Sequence, residues 1–185
     1  QLRGSYTVAV SYTLRIIILV NNRLYLGGDE LGDVLILNVS NPDSPAYVGV
    51  FGVDESELFT VSGNRAAIGG RSRFIEIYDI SNPDHPTKVT QLNIPGTSGI
   101  LVGNLLYSEF VGTGSVTDIT KPADQALLGT YALRASDRLL RAAGTHVYGL
   151  NPDDGLTIFD SSNPTAARHI GAFGVEGVPS DVAIA

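Results

Sequence analysis

Asp79-Ile80-Ser81-Asn82-Pro83 is written four times along this chain, with small changes. Asn38-Val39-Ser40-Asn41-Pro42 precedes it, and Asp118-Ile119-Thr120-Lys121-Pro122 and Asp160-Ser161-Ser162-Asn163-Pro164 follow. The prolines stand 41, 39 and 42 residues apart. A period of about 40 residues in strand-like surroundings marks a repeat architecture, in which each unit buries its apolar face only against its neighbours.

Aligning the units on their prolines gives each position a role. Six residues earlier sit Ile36, Ile77, Val116 and Ile158, and two before those Val34, Ile75, Gly114 and Leu156. Side chains alternate along a strand with period two, so these pairs share one face. Asn38, Asp79, Asp118 and Asp160 stand four residues before the proline, where a short amide or carboxylate caps the following turn. The proline then ends the strand, because it has no N–H for a ladder.

Downstream, Gly49, Thr90, Gly129 and Gly171 precede Phe51, Leu92, Tyr131 and Phe173 by two residues. Glycine two before an aromatic, inside a strand, predicts close backbone approach with the ring packed inward. Upstream of each phrase lies a hairpin pattern, turning at Asn21-Asn22, Gly63-Asn64, Gly103-Asn104 and Gly144-Thr145. Each unit therefore reads as four short antiparallel strands, A to D. The predicted fold is all-β, a β-propeller of four-stranded blades. Blades are expected at 15–53, 58–94, 99–133 and 138–175, with a partial blade at 2–14 and the start of another at 179–185.

The wording of these units resembles the LVIVD-repeat β-propellers. The resemblance is carried by Leu58–Gly70, Gly155–Pro164 and Val34–Pro42. The third unit departs most, with Lys121 in place of asparagine and Gly112-Thr113-Gly114-Ser115 expected to shorten its C strand. The resemblance implies an exported protein, extracellular or on a microbial cell surface. It carries no shared catalytic residues.

Composition agrees with a β architecture: 43% of residues are hydrophobic, only 17% are charged, and 21 are glycine. A net charge of -7 argues against nucleic acid as a partner. There is no Cys, which excludes disulfides and thiolate metal sites. The strongest apolar run, Ile16 to Val20, is a strand's length, so no membrane span is expected. The chain begins at Gln1 and holds no Met, as expected of a processed or excised segment.

The D–A and B–C loops of such blades gather at one end, where binding is expected. They carry Asp29, Glu30, Asp33, Asp54, Glu55, Asp153 and Asp154, together with Arg71 and Arg73. The bland reading is that turns favour Asp and solvated loops favour charge; the functional reading is an acidic rim for a cation or a basic partner. Residues 28–33 and 151–155 could offer oxygens to Ca²⁺, but neither has EF-hand spacing and plain turns explain both. No other cofactor and no metal site is expected. His85, His146 and His169 share no ligand spacing, and there is no Gly-x-Ser-x-Gly elbow. Asn38-Val39-Ser40 forms a glycosylation sequon, read as structural because it lies in a C strand expected to be covered by the sheet.

The expected function is a non-enzymatic interaction scaffold. The alternatives are a propeller hydrolase or lyase acting on an extracellular polymer, or a structural subunit of a larger assembly. Leu2–Val10 resembles a D strand through Gly4 and Tyr6, and Pro179–Ala185 resembles an A strand. Apolar residues at both ends then need cover. Expected partners are a protein, further copies of the chain, or the rest of a parent chain.

Overall fold

A computed structural model describes residues 4–7, 14–28, 33–52, 56–70, 74–133 and 138–175. Among these residues, sixteen strands form four antiparallel sheets, arranged as four propeller blades. Blade 1 holds β1 (Leu14–Val20), β2 (Arg23–Gly28), β3 (Asp33–Asn38) and β4 (Ala46–Gly52). Blade 2 holds β5 (Ser56–Ser62), β6 (Arg65–Gly70), β7 (Ile75–Asp79) and β8 (Thr87–Leu92). Blade 3 holds β9 (Ser98–Val102), β10 (Leu105–Phe110), β11 (Thr113–Asp118) and β12 (Leu127–Ala132). Blade 4 holds β13 (Arg138–Ala143), β14 (His146–Asn151), β15 (Gly155–Asp160) and β16 (Arg168–Phe173). Strands within each sheet lie in chain order, so every connection is a hairpin.

The hairpins between first and second strands use positive φ at Asn21, Asn22, Gly63, Gly103 and Gly144, which keeps the two strands close and twisted together. At the same end, the residue after each capping position donates its N–H to that hairpin. Val39 reaches Asn22 O, Ile80 reaches Asn64 O, Ile119 reaches Asn104 O and Ser161 reaches Thr145 O, all at 2.8–3.0 Å. One contact thus ties both turns of every blade together.

The third strands of blades 1 and 2 are buried on both faces. Val34, Leu35, Ile36 and Leu37 are all buried in β3, and Ile75 through Tyr78 are all buried in β7. Each blade packs one face on the next. Tyr25, Val34, Ile36 and Phe51 meet Phe59, Ala66, Ile68 and Tyr78, with the Phe51 and Tyr78 rings edge to face at 5.0 Å. Ala67, Ile75, Ile77 and Leu92 then meet Leu101, Leu106 and Ile119. Tyr107, Val116, Tyr131 and Leu133 meet Leu139, Val147 and Phe159. Among the described residues, no such cluster joins blade 4 to blade 1.

The first strands are sheet edges, and their spare N–H groups need acceptors. Hydroxyls of the preceding blade supply them. Thr60 Oγ1 accepts from Leu101 N at 3.0 Å, Ser62 Oγ from Gly103 N at 3.0 Å, and Ser98 Oγ from Leu139 N at 3.3 Å. The blades are therefore keyed in register along the inner strands as well as pressed together by apolar area.

Three expectations change. The glycines before the aromatics sit beside a β-bulge: pairing skips Val48, Val89, Leu128 and Ile170 in the four outer strands. Gly49 and Gly171 face open space, whereas a Cβ on Gly129 would lie 2.8 Å from Thr165 O. The third unit keeps a six-residue strand at β11; what shortens is its connection from β10, a two-residue turn at Val111-Gly112. Phe173 is 66% exposed rather than packed inward, because no described blade stands against its face.

Thr60 is buried, so Thr60→Val keeps its shape while stranding the Leu101 N–H. This substitution should cost about 1–3 kcal/mol in urea unfolding. Ser62→Ala, at a more open site, should cost less. Equal, negligible losses for both would remove the hydroxyl contacts from the account.

Candidate interaction face

Antiparallel order places the capped turns at one end of the blades and the longer loops at the other. The capped end is closed on itself. Asn38, Asp79, Asp118 and Asp160 each accept the N–H of the residue two ahead, at 2.8–3.0 Å. A second cap follows in three units, where Asn41, Asn82 and Asn163 accept from Asp43, Asp84 and Thr165. Lys121 cannot do this, and its own N–H turns back to Asp118 O instead. Arg65 pairs with Asp79 at 2.5 Å, and Arg23 makes a bidentate pair with Asp84 of the next blade at 2.6 and 3.1 Å.

These contacts shift the carboxyls. Hydrogen bonds from Ser81, then the Arg65 guanidinium, bring Asp79 down to about 2. Asp118 is lowered chiefly by Thr120, and Asp160 chiefly by Ser162. Arg23 lowers Asp84 in the same way.

The loop end is put together differently. Asp33 opens β3 and is half-buried; Asp153 is exposed and Asp154 half-buried in the turn between β14 and β15. Buried Asn151 holds that turn, with Oδ1 accepting from Asp153 N at 2.9 Å and Asp154 N at 3.2 Å. Asp29, Glu30, Asp54, Glu55, Arg71 and Arg73 lie outside the described residues. The rim is thus represented by Asp33 on blade 1 and Asp153 and Asp154 on blade 4, with exposed Arg138 at the start of β13.

Two buried acids near this end were not singled out by sequence. Glu109 accepts from Thr97 Oγ1, Ser98 Oγ and Gly112 N at 3.2–3.3 Å. It anchors the turn at Val111, whose φ of 49° is the left-handed region and whose side chain projects into solvent. Glu76 accepts from Tyr78 OH at 2.6 Å and pairs with Lys88. Burial, that hydrogen bond and the charges of Glu76 and Asp33 all push the Tyr78 hydroxyl far above its ordinary value. An acid at a strand position that is glycine in the first two units, as Glu109 is against Gly27 and Gly69, was the available signal.

His146 lies beside Tyr148 and His169 meets Phe159 edge to face on blade 4, and His85 lies in a capped turn of blade 2. Among the described residues, no group of three His, Cys, Asp or Glu comes together. No helix there is long and apolar enough to cross a membrane.

The sequence profile of the LVIVD repeat matches residues 59–93, which span blade 2. With four such sheets in series, the chain is a β-propeller, and its second blade carries the LVIVD-repeat match. No curated protein matches it. Among solved structures, it is similar to a functionally unknown protein from Desulfotomaculum acetoxidans DSM 771, at 12% identity and a TM-score of 0.69, over 93% of this chain and 59% of that one. It is also similar to the computationally designed Ika8 protein, at 13% identity and a TM-score of 0.66, over 91% and 52%. A chain of a Mitotic Checkpoint Complex matches at 15% identity and a TM-score of 0.66, over 89% and 53%. The chain spans little more than half the length of each, and at these identities the likeness is one of fold.

The lowered carboxyls set a pH dependence. A carboxyl whose folded pKa lies below its unfolded value, about 3.9, stabilises the fold above that value and loses its contribution as pH falls further. Melting temperature should therefore fall from about pH 4 toward about pH 2, the value to which Asp79 is brought. Asn38 shows that an amide makes the same turn bond without titrating. Replacing Asp79, Asp118 and Asp160 together by Asn should flatten the acid loss in circular-dichroism melts. An unchanged acid profile would assign it to other groups.

Proposed function

We propose that this chain is a non-enzymatic interaction scaffold of an exported or cell-surface protein, binding a protein partner through its loop end. One observation carries the reading: the two ends divide the chemistry. The capping acids at the turn end are engaged in their own turns and arginine pairs, which suits a structural role. The loop end presents Asp33, Asp153 and Asp154 on blades 1 and 4, held at fixed spacing by the sheets between. Charge on a rigid frame favours association and selects partners of complementary sign, here a basic one.

Export rests on the LVIVD resemblance, and protein binding is supported by the occurrence of a similar fold within a multiprotein complex. The test uses the intact chain as bait on the envelope proteins of its own source cell, with captured partners purified and titrated back. Changing Asp33, Asp153 and Asp154 to Asn should weaken the purified pair by roughly tenfold while leaving the melting temperature nearly unchanged. Binding insensitive to these changes would move the contact elsewhere. Turnover of ester, glycoside or phosphate substrates that vanished with them would put a hydrolase in place of the scaffold.

A further inference from the structure

Asn38-Val39-Ser40 is the one Asn-x-Ser or Asn-x-Thr triplet of the chain that lacks a central proline. Asn163-Pro164-Thr165, its counterpart in the fourth unit, is barred by Pro164. The triplet was expected to lie under the sheet, and the structure puts it at the strand's open end. Val34 to Leu37 are buried, Asn38 and Val39 are half-buried, and residues 40–44 are all exposed. The turn leaves the blade where the triplet begins.

Asn38 uses only half of its amide. Oδ1 accepts from Ser40 N at 2.9 Å, and Nδ2 makes no hydrogen bond among the described residues. Asp79, Asp118 and Asp160 make the same turn bond with a carboxylate, so the turn needs the oxygen and not the nitrogen. Neighbouring side chains also leave the nitrogen room. Arg23 stands opposite Asn38 on β2, yet its guanidinium reaches away to Asp84 of blade 2. Arg65, at the same place in blade 2, folds onto Asp79 instead. On the other side Asn38 faces Ala46, small and exposed, where blades 2 and 4 carry Thr87 and Arg168.

We propose that Asn38 is a modification site, the acceptor of an N-linked glycan added as the chain is exported. The proposal rests on the export reading above. In the transfer, Nδ2 bonds to the anomeric carbon of an oligosaccharide carried on a lipid phosphate. The bond from that carbon to the phosphate oxygen breaks, the lipid phosphate leaves with the electron pair, and Nδ2 gives up one proton. Oδ1 keeps its lone pairs throughout, so the modified side chain still accepts from Ser40 N and the turn survives. The other three units carry a carboxylate at this position and cannot be modified, which limits the chain to one such glycan. A bulky, solvated group there covers the capped end of blade 1. Asp33, Asp153 and Asp154 lie at the opposite end, so the glycan leaves the loop face open.

The test expresses the full chain behind a signal peptide in a eukaryotic secretory host. Mass spectrometry of the secreted chain should find a glycan on the peptide that holds Asn38. Ser40→Ala keeps the backbone N–H of the turn and should abolish the glycan, whereas Ser40→Thr should retain it. Enzymatic removal of the glycan converts Asn38 to Asp, the residue of the other units, and circular dichroism should then show an unchanged fold. A secreted, folded chain that is bare at Asn38 overturns the proposal and leaves the amide as a turn cap alone. The same peptide is next read in protein from the source cell, which decides the matter should the host fail to secrete the chain. A glycan on Asn38 there supports the proposal. A bare Asn38 in protein recovered from the envelope refutes it while export stands, and a bare Asn38 in cytosolic protein refutes both.

Discussion

The structure depends on one constraint: a four-stranded sheet with apolar residues on both faces is not stable alone. β3 and β7 are buried on both sides, so each blade needs a neighbour on each face. Burial of apolar surface, worth about 25 cal/mol per Å², supplies the attraction, and the edge-to-face contact of Phe51 and Tyr78 gives it direction. Hydroxyls at Thr60, Ser62 and Ser98 then set the register between inner strands by accepting from the next blade. In such arrays stability is a sum of unit and interface terms, so interior blades are held by two interfaces and end blades by fewer.

That constraint separates the parts of the chain available for function. Strand faces are committed to stacking. The capped turns are committed to their own backbone, where Asn or Asp at four positions receives an N–H and Asn41, Asn82 and Asn163 repeat the device. At the opposite end, the described turns leave Asp153 exposed and Asp33 and Asp154 half-buried. The turn at Val111 illustrates the difference: a buried acid, Glu109, holds it open in a conformation that a β-branched residue adopts only when anchored.

Much of the fold was legible because a proline cannot enter a ladder and a short acid or amide before it caps a turn; both act locally and recur with the repeat. What was not legible depends on neighbours. The bulges at Val48, Val89, Leu128 and Ile170 arise from pairing between strands, so the adjacent glycines were read as close contacts. The exposure of Phe173 reflects a missing neighbour, which no local pattern encodes. Hydroxyl contacts 41 residues apart require the stacking register before they can be seen. The second caps were within reach, given asparagine before proline in three units. Of the candidate rim, composition marked the loops, but the structure describes only Asp33, Asp153 and Asp154 of its acids named for binding.

Native-state hydrogen exchange, read blade by blade on the intact chain, tests the stacking account most directly. Blades 2 and 3 lie between two interfaces, so the account predicts their second and third strands to exchange most slowly, with β1 and β16 opening first. Equal protection in all four blades, lost in a single step, or greatest protection in blade 4, would contradict it.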